Sequence, residues 1–197
     1  MVLIALLLAV SVSASTIPPV QEGDLVFHHS TSRQSALVAE ATGSEWTHMG
    51  VVLMKDGAPV VLEAVEPVRE TPLADWIAAG ASGVVVVKRL KDAPPAAAMA
   101  KLHALGESWL GRHYDARFEW SDDRLYCSEL VWKLYDRAAG VDIGALQKAG
   151  TLRLGAPKIQ AEIRRRFPGA TFDPDELVIT PQSMFDDPKL VTVFSNE

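Results

Sequence analysis

The 197-residue chain contains a single cysteine, Cys127. One thiol cannot form an internal disulfide, and it cannot build a cysteine-based zinc site. Basic residues are also few: 19 lysines and arginines stand against 25 aspartates and glutamates, which gives a formal charge of −6 at pH 7. Because nucleic-acid binders normally carry a basic excess, this balance argues against a nucleic-acid partner.

Motifs for metal and phosphate binding are absent as well. The sequence has no H-E-x-x-H, no C-x-x-C and no pair of histidines at helical spacing. The glycine patterns that bind phosphate are also missing. We therefore expect no metal and no other cofactor. The composition, 48% hydrophobic and 22% charged, is that of an ordinary globular protein.

The N-terminal segment is typical of an export signal. Residues 1–10 contain no polar side chain, and Val12-Ser13-Ala14 follows with the small residues that signal peptidase needs. The apolar run is too short to span a bilayer. We expect a signal peptide over 1–14, a linker over 15–22 and one domain over 23–197, in a periplasmic or secreted protein with no integral membrane segment after cleavage. No lysine or arginine precedes the run, so a buried strand or helix is the alternative.

Hydrophobic periodicity and turn residues predict the elements of this domain. Strands are predicted at 23–27, 48–54, 60–65, 84–90, 176–180 and 190–194. Thr31-Ser32-Arg33-Gln34 is a capping box that predicts a helix capped by Thr31, and Thr71-Pro72 and Thr180-Pro181 predict helices capped by Thr71 and Thr180. Further helices are predicted over 92–111, 127–139 and 158–167. Asp56-Gly57 is typical of a two-residue hairpin turn. Because helices and hairpins are mixed without a βαβ alternation, and 141–175 is less regular, we predict an α+β fold with a mainly antiparallel sheet.

Cys127 lies at the predicted start of a helix, after the polar loop Ser121-Asp122-Asp123. Unpaired backbone N–H groups and the positive end of the helix dipole stabilise a thiolate at such a position. The same N–H groups can hold an oxyanion. These features favour a nucleophilic cysteine. The alternative is a small buried hydrophobic residue, which is a common role for cysteine.

A nucleophilic cysteine needs a base, usually histidine, and the base needs an orienting group. His48 opens an otherwise apolar strand, and Glu63 interrupts another. If Asp56-Gly57 is a two-residue turn, Glu63 lies opposite Gly50 and therefore on the same face as His48. The missing side chain of Gly50 leaves room for the carboxylate to approach the imidazole. A register shift of one residue would place the two side chains on opposite faces.

The other four histidines are weaker candidates. His28 and His29 are adjacent at a strand end and are expected to point to opposite faces, so at most one can line a site. The remaining two lie in a predicted helix and a predicted loop, where packing or surface roles are more common. His48 and Glu63 also have structural alternatives, a hydrogen-bonded histidine at a strand end and a carboxylate that faces solvent.

Six stretches follow one another in an informative order. They are Gly23-Asp24-Leu25-Val26-Phe27, Trp46-Thr47-His48-Met49-Gly50-Val51-Val52, Val61-Leu62-Glu63-Ala64, Gly111-Arg112-His113-Tyr114-Asp115, Tyr126-Cys127-Ser128-Glu129-Leu130-Val131 and Ile179-Thr180-Pro181-Gln182-Ser183. Their order resembles that of the circularly permuted papain-like amidases, the YiiX/YaeF-type branch of the NlpC superfamily. In that group the histidine and the acid precede the cysteine. The resemblance implies a permuted papain-like, NlpC-type fold, with catalytic roles on Cys127, His48 and Glu63.

The activity implied by this resemblance is hydrolysis of an amide bond, in a cell-wall peptide or another small amide, peptide or acyl substrate, through a thioacyl-enzyme. His48 would move the proton, and Glu63 would orient His48. Candidates for the substrate cleft are Tyr114, Tyr126, Gln34 and Trp46.

Two other functions stay open at this point. Permuted members of the superfamily also include acyl-transfer enzymes, so a lipid acyltransferase or thioesterase could use the same site. The lack of a basic amphipathic helix favours the amidase over these. A non-catalytic binding module with the same fold is the remaining alternative.

Overall fold

The computed structural model describes residues 18–154, 156–166 and 173–197. The predicted signal peptide over 1–14 and the first part of the predicted linker lie outside the described residues. The export signal and the periplasmic or secreted location therefore stay predictions. Residues 18–22 contain no helix or strand and lead directly into the first strand.

The described ranges contain ten strands and six α-helices. The strands are β1 (Leu25–His28), β2 (His48–Lys55), β3 (Ala58–Glu63), β4 (Arg69–Pro72), β5 (Val86–Leu90), β6 (His113–Tyr114), β7 (Arg124–Leu125), β8 (Gln147–Lys148), β9 (Leu177–Val178) and β10 (Leu190–Ser195). The helices are α1 (Arg33–Thr42), α2 (Leu73–Ala79), α3 (Ala96–Trp109), α4 (Cys127–Ala139), α5 (Pro157–Arg166) and α6 (Pro181–Phe185).

Six of the strands form one sheet in the order β10-β5-β1-β2-β3-β4. Every neighbouring pair in this sheet is antiparallel. Two small separate pairs, β6 with β7 and β8 with β9, complete the strands of the described ranges. The predicted α+β fold with a mainly antiparallel sheet is confirmed.

The hairpin between β2 and β3 sets the register on which the rest of the sheet depends. Asp56 and Gly57 both have positive φ, 52° and 80°, as a two-residue turn that follows the twist of the strands requires. Lys55 therefore pairs with Ala58, and the register continues along the two strands to the pair of Val51 and Leu62. The predicted turn and the predicted register are both confirmed.

The sheet separates two apolar clusters, because alternate side chains of a strand point to opposite faces. On one face, Leu25 and Phe27 belong to the main core, together with apolar residues of α3 and α4. On the other face, Val26 and Val87 pack with Leu73 and Trp76 of α2. The central strands are therefore covered on both sides, and α4 packs directly against β2.

The ends of α4 match the sequence prediction closely. The helix begins at Cys127, and Gly140 follows its last residue with a φ of 65°. Glycine adopts this left-handed conformation without steric cost, so it ends the helix there. The predicted cap of α6 is also confirmed, because Thr180 Oγ1 accepts a 3.1 Å hydrogen bond from the N–H of Ser183.

Two predicted helix starts are wrong. The cap of α1 is Ser32, whose hydroxyl accepts a hydrogen bond from the N–H of Ser35, so Thr31 does not cap the helix. Thr71 does not cap α2 either, because it belongs to β4 and pairs with Val61 of β3. In both places the local sequence pattern is compatible with a cap, and tertiary contacts select a different residue.

The predicted closing strand at 176–180 is only partly correct. Within this range only the two-residue strand β9 forms, and it pairs with β8 outside the large sheet. The other predicted closing strand, β10, does join the large sheet beside β5. Between α4 and β9, the stretch 141–175 contains β8, a 3-10 turn at Ala149–Thr151 and α5. Ala149, Leu152 and Ile159 of this stretch line a cavity beside the start of α4.

We expect Gly50→Ala to destabilise the fold by about 1–3 kcal/mol, the range for overpacking a close-packed interior. A Cβ at this position would clash with Val61 Cγ1 and lie 2.8 Å from the carbonyl oxygen of Leu62. Because the second contact is with backbone, the β2–β3 pair itself would have to move. Urea unfolding followed by tryptophan fluorescence measures the loss.

Gly106→Ala on α3 is the matched control. Its added Cβ would meet the far end of the flexible Leu62 side chain, and alanine is favoured over glycine in a helix by up to about 1 kcal/mol. A stability loss for Gly50→Ala no larger than that of Gly106→Ala would contradict the assignment of Gly50 as a position of close strand approach.

Candidate active site

The thiol of Cys127 lies at the first turn of α4. The N–H groups of a first helical turn have no partner within the helix. The helix start is held by Glu129, whose Oε2 accepts a 3.2 Å hydrogen bond from the N–H of Tyr126. Only 5% of Cys127 is exposed, so its environment is set by the protein and not by bulk water.

His48 begins β2 at the end of the sheet that faces this helix terminus. Its Nε2 lies 2.7 Å from Oε2 of Glu63, and the neighbouring thiol of Cys127 acts on the pKa of its ring. A carboxylate can only accept, so Nε2 carries the proton towards Glu63 and Nδ1 is the ring nitrogen left for the thiol. The structure thus brings the three predicted residues into one chain of contacts.

Four donors surround the carboxylate of Glu63. Oε2 accepts from His48 and, at 3.0 Å, from Nε1 of Trp76. Oε1 accepts from Oγ1 of Thr71 at 2.6 Å and from Nε of Arg69 at 3.2 Å. These donors come from β2, α2 and β4. The carboxylate is therefore buried without an unsatisfied oxygen, which burial of a charge requires.

The pKa values of Glu63 and His48 shift in opposite directions. Burial acts to raise the pKa of Glu63, but the hydrogen bonds from His48, Thr71 and Arg69 outweigh it and lower that pKa to about 2. Burial acts to lower the pKa of His48, yet its contacts with Cys127 and Glu63 raise that pKa to about 9. At neutral pH the site therefore holds a carboxylate beside an imidazolium.

A second histidine lies next to this pair but remains neutral. The ring of His28 stacks on Trp76 with centroids 3.9 Å apart, and its centroid is 5.3 Å from that of His48. Burial and the charge of His48 lower the pKa of His28 to about 3. His29 points away and its Nδ1 contacts the carbonyl oxygen of Glu45. His28 therefore packs the indole that donates to Glu63.

The four residues predicted for the substrate cleft lie in different places. Tyr114 and Tyr126 line a cavity of about 230 Å³ that reaches Cys127. Trp46 is buried against Phe185, with ring centroids 4.7 Å apart, and does not line that cavity. Gln34 lies in the first turn of α1, and its side chain is outside the described part of the structure. A role in substrate binding stays a prediction for all four.

The two tyrosines differ in how they are held. Tyr126 is almost fully buried, and its hydroxyl accepts a 3.0 Å hydrogen bond from the N–H of Ile179. Tyr114 is half-buried, and burial together with the charge of Cys127 raises its pKa well above the usual value. Its hydroxyl therefore stays protonated beside the thiol. Tyr126 joins α4 to the chain before α6, whereas Tyr114 borders the thiol of Cys127.

Sequence reasoning missed the groups that hold Glu63. The sequence pattern favours Thr71 as a helix cap and singles out neither Trp76 nor Arg69. Arg69 pairs with Glu63 across the β3–β4 register. The sequence offers one indication of these donors: Thr71 and Trp76 follow shortly after Glu63, a carboxylate in an apolar strand. This indication is weak, because the donors reach Glu63 only if the following segment pairs with β3 as β4, which the sequence does not show.

The described residues hold no group of three His, Cys, Asp or Glu side chains arranged to bind a metal ion. Within the same ranges, no helix has the length and apolar character needed to cross a bilayer.

The chain is similar to proteins of known sequence and structure over most of its length. Residues 19–194 match the model of the permuted papain-like amidase family of YaeF and YiiX, family C92. The uncharacterized protein YiiX of Escherichia coli strain K12 is 41% identical over 191 residues, which are 97% of this chain and 94% of that protein. A crystal structure of "metalloprotein yiiX" from Escherichia coli O157:H7 superposes with a TM-score of 0.83 at 41% identity, covering 91% of this chain and 98% of the other.

These findings agree with the architecture described above. The antiparallel sheet with packed helices is a permuted papain-like fold, and family membership supports a cysteine hydrolase at the level of the family. The chain belongs to the permuted papain-like amidase family of YaeF and YiiX.

Proposed function

We propose that this protein hydrolyses an amide bond through a thioacyl-enzyme formed on Cys127. The observation that carries the proposal is the 2.7 Å hydrogen bond between Glu63 and His48, together with the thiol of Cys127 beside the same imidazole. The thiol also lies at the start of a 13-residue helix, where N–H groups can hold an oxyanion. Family membership supports the same chemistry, and the substrate is a matter for the experiments below.

The acylation step follows from this arrangement. The sulfur of Cys127 attacks the carbonyl carbon, so a C–S bond forms and the carbonyl oxygen gains negative charge. The backbone N–H of Cys127 at the helix start stabilises this oxyanion. The imidazolium of His48 then delivers its proton to the leaving nitrogen as the C–N bond breaks. Glu63 holds the ring in the orientation that aims Nδ1 at the reacting atoms.

Deacylation uses the same groups in reverse. The imidazole of His48, now neutral, takes a proton from a water molecule that attacks the thioester carbonyl. The C–S bond breaks, the acid product leaves and the thiolate pairs again with the imidazolium. No further group is required for either half-reaction.

A second candidate is transfer of an acyl group to an acceptor other than water, as in a lipid acyltransferase, or hydrolysis of a thioester. The cavity beside Cys127 favours this candidate, because many of its wall residues are apolar. Both functions share the acylation step and differ in the group that attacks the thioester.

The related crystal structure is called a metalloprotein. In the present chain the described donors do not fit a resident metal ion, since no three suitable side chains converge. Cys127 and His48 supply two donors, but the oxygens of Glu63 accept from His48 itself and from three other groups, Trp76, Thr71 and Arg69. The proposed mechanism therefore has no step through a metal.

Replacement of Cys127 by alanine should abolish hydrolysis, since no other cysteine can form the thioester. Intact-protein mass spectrometry after incubation with peptidoglycan fragments or with N-acyl amines should show an acyl adduct on the wild type and none on Cys127→Ala. The adduct mass identifies the acyl group. Unchanged thermal unfolding of the variant is the control for folding, and hydrolysis retained by Cys127→Ala would refute the proposal.

The pH dependence of kcat/KM should follow the charge of His48. Because the pKa of His48 is raised to about 9, the acid needed for acylation is present below that pH and is lost above it. Glu63→Gln should move this alkaline limb to lower pH, because it removes the negative charge that favours the imidazolium. An alkaline limb that stays in place in Glu63→Gln would show that another group titrates.

A further inference from the structure

A buried ion pair lies in the first two turns of the helix that carries the nucleophile. Glu129 is fully buried and Lys133 is 2% exposed. Oε1 of Glu129 accepts a 2.8 Å hydrogen bond from Nζ of Lys133. Neither residue takes part in the proton transfers between Cys127 and His48, so the catalytic steps alone do not account for this pair.

Stability is a weak explanation of the pair. Burial raises the pKa of Glu129 to about 7, although the hydrogen bond from Lys133 acts to lower it. The ionised carboxylate is therefore costly to keep at this place. An ion pair buried at such a cost is often no more stable than two apolar side chains of the same volume. The geometry that the pair imposes on the helix start accounts for it better.

Glu129 fixes the peptide groups beside Cys127. Its Oε2 accepts a 3.2 Å hydrogen bond from the N–H of Tyr126, and the carbonyl oxygen of Tyr126 accepts a 2.9 Å hydrogen bond from the N–H of Leu130. Because a trans peptide is planar, this carbonyl and the N–H of Cys127 point in opposite directions. The N–H of Cys127 is therefore turned away from the body of the helix, as an oxyanion donor requires.

Lys133 fastens the segment that leads into the helix. Its Nζ donates to Oδ1 of Asp122 at 3.0 Å and to the carbonyl oxygen of Ser121, and it lies 4.7 Å from the centroid of the Trp120 ring. One turn further along, Arg137 donates to both carboxylate oxygens of Asp122 at 2.7 and 2.8 Å. The segment before the nucleophile is therefore held against α4 itself.

A backbone unit of the chain before α6 holds the two residues that flank Cys127. The hydroxyl of Tyr126 accepts a 3.0 Å hydrogen bond from the N–H of Ile179, and Oγ of Ser128 donates to the carbonyl oxygen of Ile179 at 2.9 Å. Glu129 adds a charged contact to these two neutral ones. The position of the nucleophile is thus fixed by contacts with two different segments of the chain.

We propose that Glu129 and Lys133 are positioning residues for acylation, which hold the N–H of Cys127 where the carbonyl oxygen of the substrate becomes an oxyanion. Neither residue touches the substrate. The inference rests on the proposed function, since it uses the attack of Cys127 on a carbonyl. It goes further in assigning the buried pair a role in that step. A displacement of about 1 Å in such a site can lower the rate about a hundredfold.

Two reactions of the same thiol separate this role from a purely structural one. With p-nitrophenyl acetate, the sulfur bonds to the acetyl carbon, the carbonyl oxygen passes through an oxyanion and p-nitrophenolate leaves. With iodoacetamide, the sulfur displaces iodide and no oxyanion forms. Because the thiolate attacks in both reactions, its fraction cancels in the ratio of the acylation rate to the alkylation rate at one pH. The rate of Cys127→Ala is subtracted as background.

Glu129→Gln tests the assignment. The amide has one oxygen, so it cannot accept hydrogen bonds from both the N–H of Tyr126 and Nζ of Lys133. We expect the ratio of acylation to alkylation to fall by at least about tenfold. A change in the charge or the exposure of the thiol would move both rates and leave this ratio in place.

Asp24→Asn is the matched control. Asp24 is also a fully buried carboxylate, and it accepts from Arg89 at 2.6 and 2.8 Å and from the N–H of Gln21 at 2.8 Å. It precedes β1, whereas His28 at the other end of that strand lies beside the site. Asp24→Asn therefore disturbs a comparable ion pair away from the thiol, and we expect it to leave the ratio unchanged.

The double variant Glu129→Leu with Lys133→Met guards against a loss of folding in the single variant. It removes both buried charges at similar volume, which often preserves stability, but it leaves the N–H of Tyr126 without the carboxylate. We expect urea unfolding close to that of the wild type and a ratio as low as in Glu129→Gln. A double variant with the wild-type ratio, or equal ratios in Glu129→Gln and Asp24→Asn, would overturn the proposal.

Failure of this inference is separable from failure of the proposed function. An acetyl adduct on Cys127 whose rate of formation, relative to alkylation, does not depend on Glu129 would retain the amidase mechanism and overturn the positioning role. Amide hydrolysis that persists in Cys127→Ala would refute the proposed function, while a ratio that falls in Glu129→Gln would still support the role of the pair beside the oxyanion.

Discussion

The 2.7 Å contact between Glu63 and His48 is the interaction on which the site depends. It fixes the proton on Nε2 and leaves Nδ1 for the thiol. The negative charge of Glu63 also raises the pKa of His48, which burial alone would lower. Burial without such partners leaves a histidine neutral, as His28 shows beside it. The two adjacent rings therefore differ in protonation: His28 is neutral and stacks on an indole, whereas His48 is protonated at neutral pH.

The pair could be predicted because its geometry is local. The Asp56-Gly57 turn fixes the register of β2 and β3, and strand alternation then places Glu63 on the face of His48. Gly50 leaves the space between them, since a Cβ there would lie 3.6 Å from Cβ of Glu63. The position of Cys127 was predictable for a similar reason: the apolar stripe and Gly140 define α4 from its own sequence.

The surroundings of the pair could not be predicted, because they depend on contacts between distant segments. Thr71 lies in a strand only because β4 pairs with β3, and its own sequence is equally compatible with a helix cap. Trp76 donates to Glu63 only because α2 packs under the sheet. The cavity requires α1 and α5, which are far apart in sequence. The stretch 141–175, which has no regular sequence pattern, supplies part of the cavity wall.

The most direct test of the account is the alkylation of Cys127 by iodoacetamide as a function of pH, followed by intact mass, since the chain has no other thiol. A thiol activated by the neighbouring His48 should react rapidly at neutral pH, and His48→Gln should lose this reactivity while it keeps the fold. A reaction that is slow at neutral pH and equally fast in the wild type and in His48→Gln would contradict the account.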